Sequence, residues 1–250
     1  RATVFFEQTI NEKDSLSQNS SYLLASSYIR LSQKEKALNA FFMASQYDFY
    51  PNIKEDAAFN YAKLSYELSY APFTKSIKIL MNFIKDYPKS SHLDEMYGYL
   101  GQAMYPSKDY QGAMEALDKI KTKYEDANEI YQRVAFYRGM EYFKKLEYGK
   151  AVEMYDKSLE ESKIDKKIAA LSLYWKAEAL YRMKKYDESL NWYKKFILAM
   201  GAYDMEEYKL AHYNIGYCYF KKQAYKEASN WFRKFVDYYP NAKTKIIADA

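Results

Sequence analysis

The sequence predicts an all-α solenoid of antiparallel helix pairs, about 12–14 helices long, and three observations predict it. Helix breakers are scarce, with 7 Gly and 5 Pro in 250 residues. Apolar residues recur three and four positions apart, the spacing of one helical face. Small residues stand at an almost fixed period: Ala37, Ser76, Ala113, Ala151, Ser189 and Ala228 are separated by 39, 37, 38, 38 and 39 positions. A lone match would be worthless. Six in phase, with aromatic residues in phase around them, indicate one structural unit written repeatedly.

The last full unit defines the pattern. Gly216 is followed by Tyr219, Tyr225, Ala228, Phe232, Phe235 and Pro240, at offsets 3, 9, 12, 16, 19 and 24. Small residues at offsets 0 and 12 let two helices approach closely. The aromatic at offset 9 opens the second helix, and Pro88 and Pro240 end their units. The same offsets from Gly139 reach Tyr142, Tyr148, Ala151 and Tyr155, and from Gly101 they reach Met104, Tyr110, Ala113 and Leu117. Ala177 leads likewise to Tyr186, Ser189, Tyr193 and Phe196, and Ala25 to Tyr28, Ala37 and Phe41.

Taken in order, residues 1–12 read as the second helix of an earlier unit, with Ala2, Phe6 and Thr9 in register. A polar turn at 14–21 follows, then units at about 19–50, 55–87, 91–123, 128–161, 165–200 and 205–239, and a partial first helix at 241–250. The unit at 55–87 is irregular. Its second half, with Phe73, Ser76, Leu80 and Phe83, fits, whereas Phe59 to Tyr66 fits only with one extra residue in the turn. Pro72 stands early in that second helix, where proline is tolerated. No composition shift marks a domain boundary, so a single array over 1–250 is expected. The chain opens at Arg1 in what reads as the middle of a fold, so a piece of a longer protein is expected. Ile246, Ile247 and Ala250 would then lie on an uncovered apolar face, and end-to-end self-association or a frayed C-terminus follows.

Charge and composition narrow the function. The balance of 38 basic against 33 acidic residues, net +5, is a mild excess and argues against nucleic acid as the main partner. Cys218 is the only cysteine, so no internal disulfide forms. No apolar run approaches the roughly 18 residues of a membrane span. His92 and His212 have no third group placed for a catalytic triad; His212 takes the core-facing slot of Tyr97, and His92 stands at a helix start. Cys218 reads as a small buried hydrophobe. No metal-ligand spacing and no glycine-rich phosphate loop is present, so no catalytic residue, cofactor or metal is expected.

Tyr97, Leu100, Gly101, Tyr110, Ala113 and Leu117, and again Ile215, Gly216, Tyr219, Tyr225, Ala228, Phe232 and Pro240, resemble the tetratricopeptide repeat. The resemblance covers essentially the whole chain and implies a right-handed superhelix. The period departs from it, since the family's standard unit has about 34 residues. The phrases Asp86-Tyr87-Pro88-Lys89-Ser90 and Tyr239-Pro240-Asn241-Ala242 resemble tetratricopeptide proteins of bacterial cell envelopes, such as outer-membrane-assembly lipoproteins and Tol-Pal-associated proteins. That narrower likeness favours a periplasmic or envelope setting.

The resemblance also implies a concave groove lined by the first helices. It assigns to that groove Tyr22, Asn60, Gly98, Phe136, Tyr174 and Tyr213 and, one turn on, Ser26, Leu64, Gln102, Met140, Glu178 and Tyr217. The slots of the family's Lys-Asn-Asn-Lys-Arg carboxylate clamp hold Tyr, Phe, Ser and Leu here, so a chaperone-tail clamp is not expected. Near the ends of the first helices Phe143, Tyr181 and Phe220 are each followed by a cation, Lys144, Arg182 or Lys221. Tyr and Arg favour binding hot spots, whereas cations at a helix C-terminus also complement its dipole. The paired lysines Lys144-Lys145, Lys184-Lys185 and Lys221-Lys222 fall in turns. The expected partner-binding residues are Tyr22, Phe136, Lys144, Tyr174, Tyr181, Arg182, Tyr213, Tyr217, Phe220 and Lys221. The leading reading is a non-enzymatic scaffold that holds a partner protein segment in this groove. A regulatory sensor taking a small peptide or ligand is the alternative, and single-stranded nucleic-acid binding through stacked Tyr and Lys is a third.

Overall fold

The computed structural model describes residues 2–10, 13–69, 73–122 and 125–238. The predicted features at Arg1, Pro72, Tyr239, Pro240 and 241–250 lie outside the described residues. Among the described residues there are thirteen helices and no strand. They are α1 (Ala2–Thr9), α2 (Ser15–Arg30), α3 (Lys34–Ser45), α4 (Pro51–Glu67), α5 (Thr74–Asp86), α6 (Leu93–Met104), α7 (Tyr110–Leu117), α8 (Glu125–Lys144), α9 (Tyr148–Glu160), α10 (Lys166–Arg182), α11 (Tyr186–Ile197), α12 (Glu206–Lys221) and α13 (Tyr225–Asp237). None among the described residues is long and apolar enough to cross a membrane. The contacts form two compact units, Arg1–Tyr124 and Glu125–Ala250.

Within each unit the predicted small residues do what their size allows. Ala37, Ser76, Ala113, Ala151 and Ser189 are fully buried, and Ala228 nearly so. The glycines at offset 0 are close-approach positions. A Cβ on Gly101 would lie 2.6 Å from Leu117 Cγ, and one on Gly139 or Gly216 would lie 2.5 Å from Cε1 of Tyr155 or Phe232. Each contact joins offsets 0 and 16, so the predicted pairing of first and second helix is the observed one.

The turns between paired helices use a device with no sequence signal. Ser32, Lys108, Leu146, Lys184 and Gln223 all have φ between 57° and 62°, although none is glycine. They share one place in the repeat, seven residues after Ala25, Gly101, Gly139, Ala177 and Gly216. The next residue's N–H returns to a carbonyl five positions back, as in Gln33 to Tyr28 at 2.9 Å, Glu147 to Tyr142 at 2.9 Å and Ala224 to Tyr219 at 3.0 Å. These are left-handed helix caps, in which the returning bonds satisfy carbonyls the helix end leaves open. Across four of the turns an aromatic pair closes the corner: Tyr105–Tyr110, Phe143–Tyr148, Tyr181–Tyr186 and Phe220–Tyr225, with centroids 5.2–6.0 Å apart.

The irregular pair α4–α5 corrects the expected register. Tyr66 meets Phe73 at 5.7 Å, as Tyr181 meets Tyr186, and Phe59 meets Phe83 at 6.2 Å, as Tyr174 meets Phe196. The offset-0 residue is therefore Ala62, fully buried, and it precedes Ser76 by 14 positions where the other pairs have 12. The turn holds two extra residues, not one. Leu64 is consequently core, and Asn60 bonds within its own helix to the Asp56 carbonyl at 2.8 Å.

Polar side chains at one repeat position tie the connections between successive pairs. Gln18, fully buried, accepts from Tyr50 N–H at 2.8 Å and donates to Tyr47 C=O at 3.1 Å. Gln132 does the same around Asp165, accepting its N–H at 2.9 Å and donating to its C=O at 3.0 Å. Asp94, at the same repeat position, accepts from the N–H groups of Lys121 and Thr122. The two glutamines satisfy part-buried backbone groups that would otherwise be left bare, whereas the Asp94 bonds lie at the surface.

Candidate functional site

In the second unit, five of the first-helix residues singled out by sequence meet around one opening. The cavity is about 180 Å³ and is lined by Glu178, Tyr181 and Arg182 of α10 and Tyr213, Asn214 and Tyr217 of α12. The repeat sets this meeting: residues three before and one, four and five after each offset-0 position lie along one helix face, and neighbouring first helices place those faces side by side.

The floor of the cavity is polar and held. Glu178 Oε1 accepts from the Tyr193 hydroxyl and from Asn214 Nδ2, the latter at 2.7 Å. Asn214 Nδ2 also reaches the Tyr174 hydroxyl at 3.2 Å. Glu178 Oε2 faces Arg182 Nη2 at 3.6 Å, an ion pair beyond hydrogen-bond length. The walls are aromatic. Tyr213 meets Tyr217 at 4.9 Å, and Tyr217 meets Phe220 at 6.2 Å. Partial burial pushes the Tyr181 hydroxyl up to about 12, so it remains a neutral donor and acceptor at physiological pH.

Other predicted residues stand elsewhere. Phe136 and Tyr174 expose only 4% and 5% of their surface and pack in the core, so neither presents its ring to a partner. Tyr22 is half-buried in the first unit, with its hydroxyl on the Asp56 carboxylate. Lys144 and Lys221 are exposed at the ends of α8 and α12, and Phe220 is 46% exposed. Asn214 was not singled out by sequence. Its signal is a comparison across one repeat: the same position on α10 holds Trp175.

The residues considered for chemistry are packed. His92 stacks on Phe59 at 3.9 Å. His212 is buried against Tyr208, Trp231 and Tyr238, and that burial lowers its pKa. Cys218 is fully buried beside Ser189, and burial pushes its thiol up to about 11, so it stays protonated. Among the described residues no group of three or more His, Cys, Asp or Glu is placed to hold a metal ion.

Residues 136–204 and 210–241 each match a family model described as tetratricopeptide repeat. No curated protein matches the chain. Among solved structures, the apo form of RapI is 18% identical over 98% of this chain and 71% of its own, with a TM-score of 0.50. The C-terminal part of a TPR repeat-containing protein from Cytophaga hutchinsonii is 20% identical over 98% of this chain and 92% of its own, with a TM-score of 0.49. PilF of Pseudomonas aeruginosa is 14% identical over 93% and 95%, with a TM-score of 0.43.

Proposed function

From the premise that this chain is a tetratricopeptide-repeat protein, we propose that it is a non-enzymatic scaffold binding a partner protein segment along the first helices of its second unit. The observation that carries this reading is the convergence of Tyr181, Arg182, Tyr213 and Tyr217 on one open cavity, with exposed Phe220 and Lys221 at the end of α12. Aromatic faces supply contact area at low cost in side-chain entropy, and the exposed cations Lys144, Arg182 and Lys221 steer an acidic segment by long-range attraction. Cys218 and His212 are buried in packing roles.

The test is affinity capture from extracts of the source cell by the wild-type chain, repeated with Tyr217→Ala and with Phe220→Ala combined with Lys221→Glu. A partner retained by the wild type and lost from both variants, with thermal unfolding unchanged, supports the groove. A partner that both variants retain moves the binding surface to another face.

A further inference from the structure

The interval between α10 and α12 differs from the interval before it in one respect that decides what can enter. Between α8 and α10, Phe143 and Trp175 pack edge to face with centroids 5.1 Å apart, and the indole also meets Tyr174 at 5.5 Å. One repeat later, Tyr181 stands in the place of Phe143 and Asn214 in the place of Trp175. Both of these residues line the cavity. Thus the opening lies where the preceding pair of helices places its own indole. At about 180 Å³ it is smaller than the roughly 300–1,000 Å³ of pockets that take a whole small molecule. It has room for one side chain.

We propose that this cavity takes a single tryptophan side chain from the bound segment, which does between α10 and α12 what Trp175 does between α8 and α10. The inference rests on the groove reading above and gives it a residue-level specificity. The walls fit: Tyr181, Tyr213 and Tyr217 offer faces and edges to an indole. The floor fits as well. Both hydrogen bonds to Glu178 described above fall on Oε1, and Oε2, which among the described residues has only the long ion pair to Arg182, can accept an indole N–H. A leucine or phenylalanine would fill space without reaching that acceptor. Arg182, which lines the cavity and is exposed, favours an acidic residue beside the tryptophan.

The test separates the pocket from the groove. N-acetyl-L-tryptophanamide and N-acetyl-L-leucinamide are titrated into the full chain while the Asn214 side-chain amide and the Tyr217 ring are followed by NMR. Saturable shifts with the tryptophan amide, at least about tenfold weaker with the leucine amide, are expected. Asn214→Trp supplies the indole from within and abolishes the response. Asn214→Ala loses the same two hydrogen bonds but leaves the space open, and retains it. Should Asn214→Trp fail to fold, Tyr217→Ala removes one wall and weakens the tryptophan amide by about tenfold. Equal responses to the two amides, or an undiminished response in Asn214→Trp or Tyr217→Ala, overturn the proposal. A partner captured equally by wild type and Asn214→Trp, yet lost from Phe220→Ala with Lys221→Glu, overturns the pocket and leaves the groove standing.

Discussion

The first-helix faces of the two units differ in how their polar groups are occupied. In the first unit they bond to one another, across neighbouring helices from Tyr22 to Asp56, from Lys63 to Glu95 at 2.9 Å and from Tyr66 to Gln102 at 3.1 Å, and within α6 from Tyr99 to Glu95 at 2.9 Å. In the second unit the corresponding positions are mostly aromatic, with a cation at each first-helix end and one carboxylate, Glu178, under an open cavity. One scaffold therefore carries two kinds of face, one mostly polar and one mostly aromatic around a cavity. The opposite side reverses the division. Phe42 and Tyr61 pack at a tilt with centroids 5.1 Å apart in the first unit, and the equivalent positions in the second hold the ion pair Asp156–Lys176, with the ammonium 3.6 Å from the centre of the Trp192 ring.

That last contrast offers the largest test. The Lys176 side chain is only 7% exposed while Asp156 is 49% exposed, so Asp156→Ala strands a buried cation. It is expected to cost about 2–3 kcal/mol by chemical denaturation, below the range for a fully buried pair because Asp156 is half in water. Transplanting the first unit's solution, Asp156→Phe with Lys176→Tyr, is expected to return stability to within about 1 kcal/mol of wild type. A double variant as unstable as Asp156→Ala would show that the two faces are not interchangeable.

The close-approach glycines come next. Gly139→Ala drives a methyl into Tyr155, which is fully buried and has nowhere to turn. A loss of about 2 kcal/mol is expected. Gly216→Ala meets Phe232, which is only partly buried and can swing, so the loss there should stay under about 1 kcal/mol. Equal losses would mean that Phe232 is as confined as Tyr155.

A binding contrast follows. Tyr217→Ala should weaken a captured partner about tenfold, whereas Tyr99→Ala in the first unit should change it less than about twofold. An equal effect at both positions would spread the binding surface over both units.

The smallest expected effects are on pH dependence. Tyr22 and Tyr99 are pushed up to about 12 by partial burial and by their carboxylate partners, and burial alone drives Tyr155 higher still. An unfolded tyrosine ionises near pH 10 while these stay neutral in the fold, so the unfolded chain holds fewer protons above pH 10 and stability falls as pH rises from there toward 12. His212 gives the opposite slope. Its depressed pKa means that the unfolded chain binds the proton first, so stability falls as pH drops below about 6.5. Denaturation midpoints across pH, with His212→Phe as control, check both limbs, and a flat acid limb in the wild type would contradict the burial of His212.

By itself, the sequence determined the helix pairs and their period. Two helices cannot approach without a small residue at the crossing, and Ala37, Ala113, Gly139, Ala151 and Gly216 therefore recur whatever surrounds them. The resemblance to the tetratricopeptide repeat assigned the candidate groove to the first helices, and spacing of three, four and seven gathered its residues on one face. Only the tertiary structure decided which of the many aromatics are available. Tyr174 and Tyr213 occupy the same repeat position, yet Tyr174 is buried under Trp175 and Tyr193 while Tyr213 lines a cavity. The left-handed turns at Leu146 and Lys184 and the opening beside Asn214 were equally out of reach. Each depends on what a neighbouring helix places against it, and a periodic pattern records a residue's face but not the size of the side chain opposite.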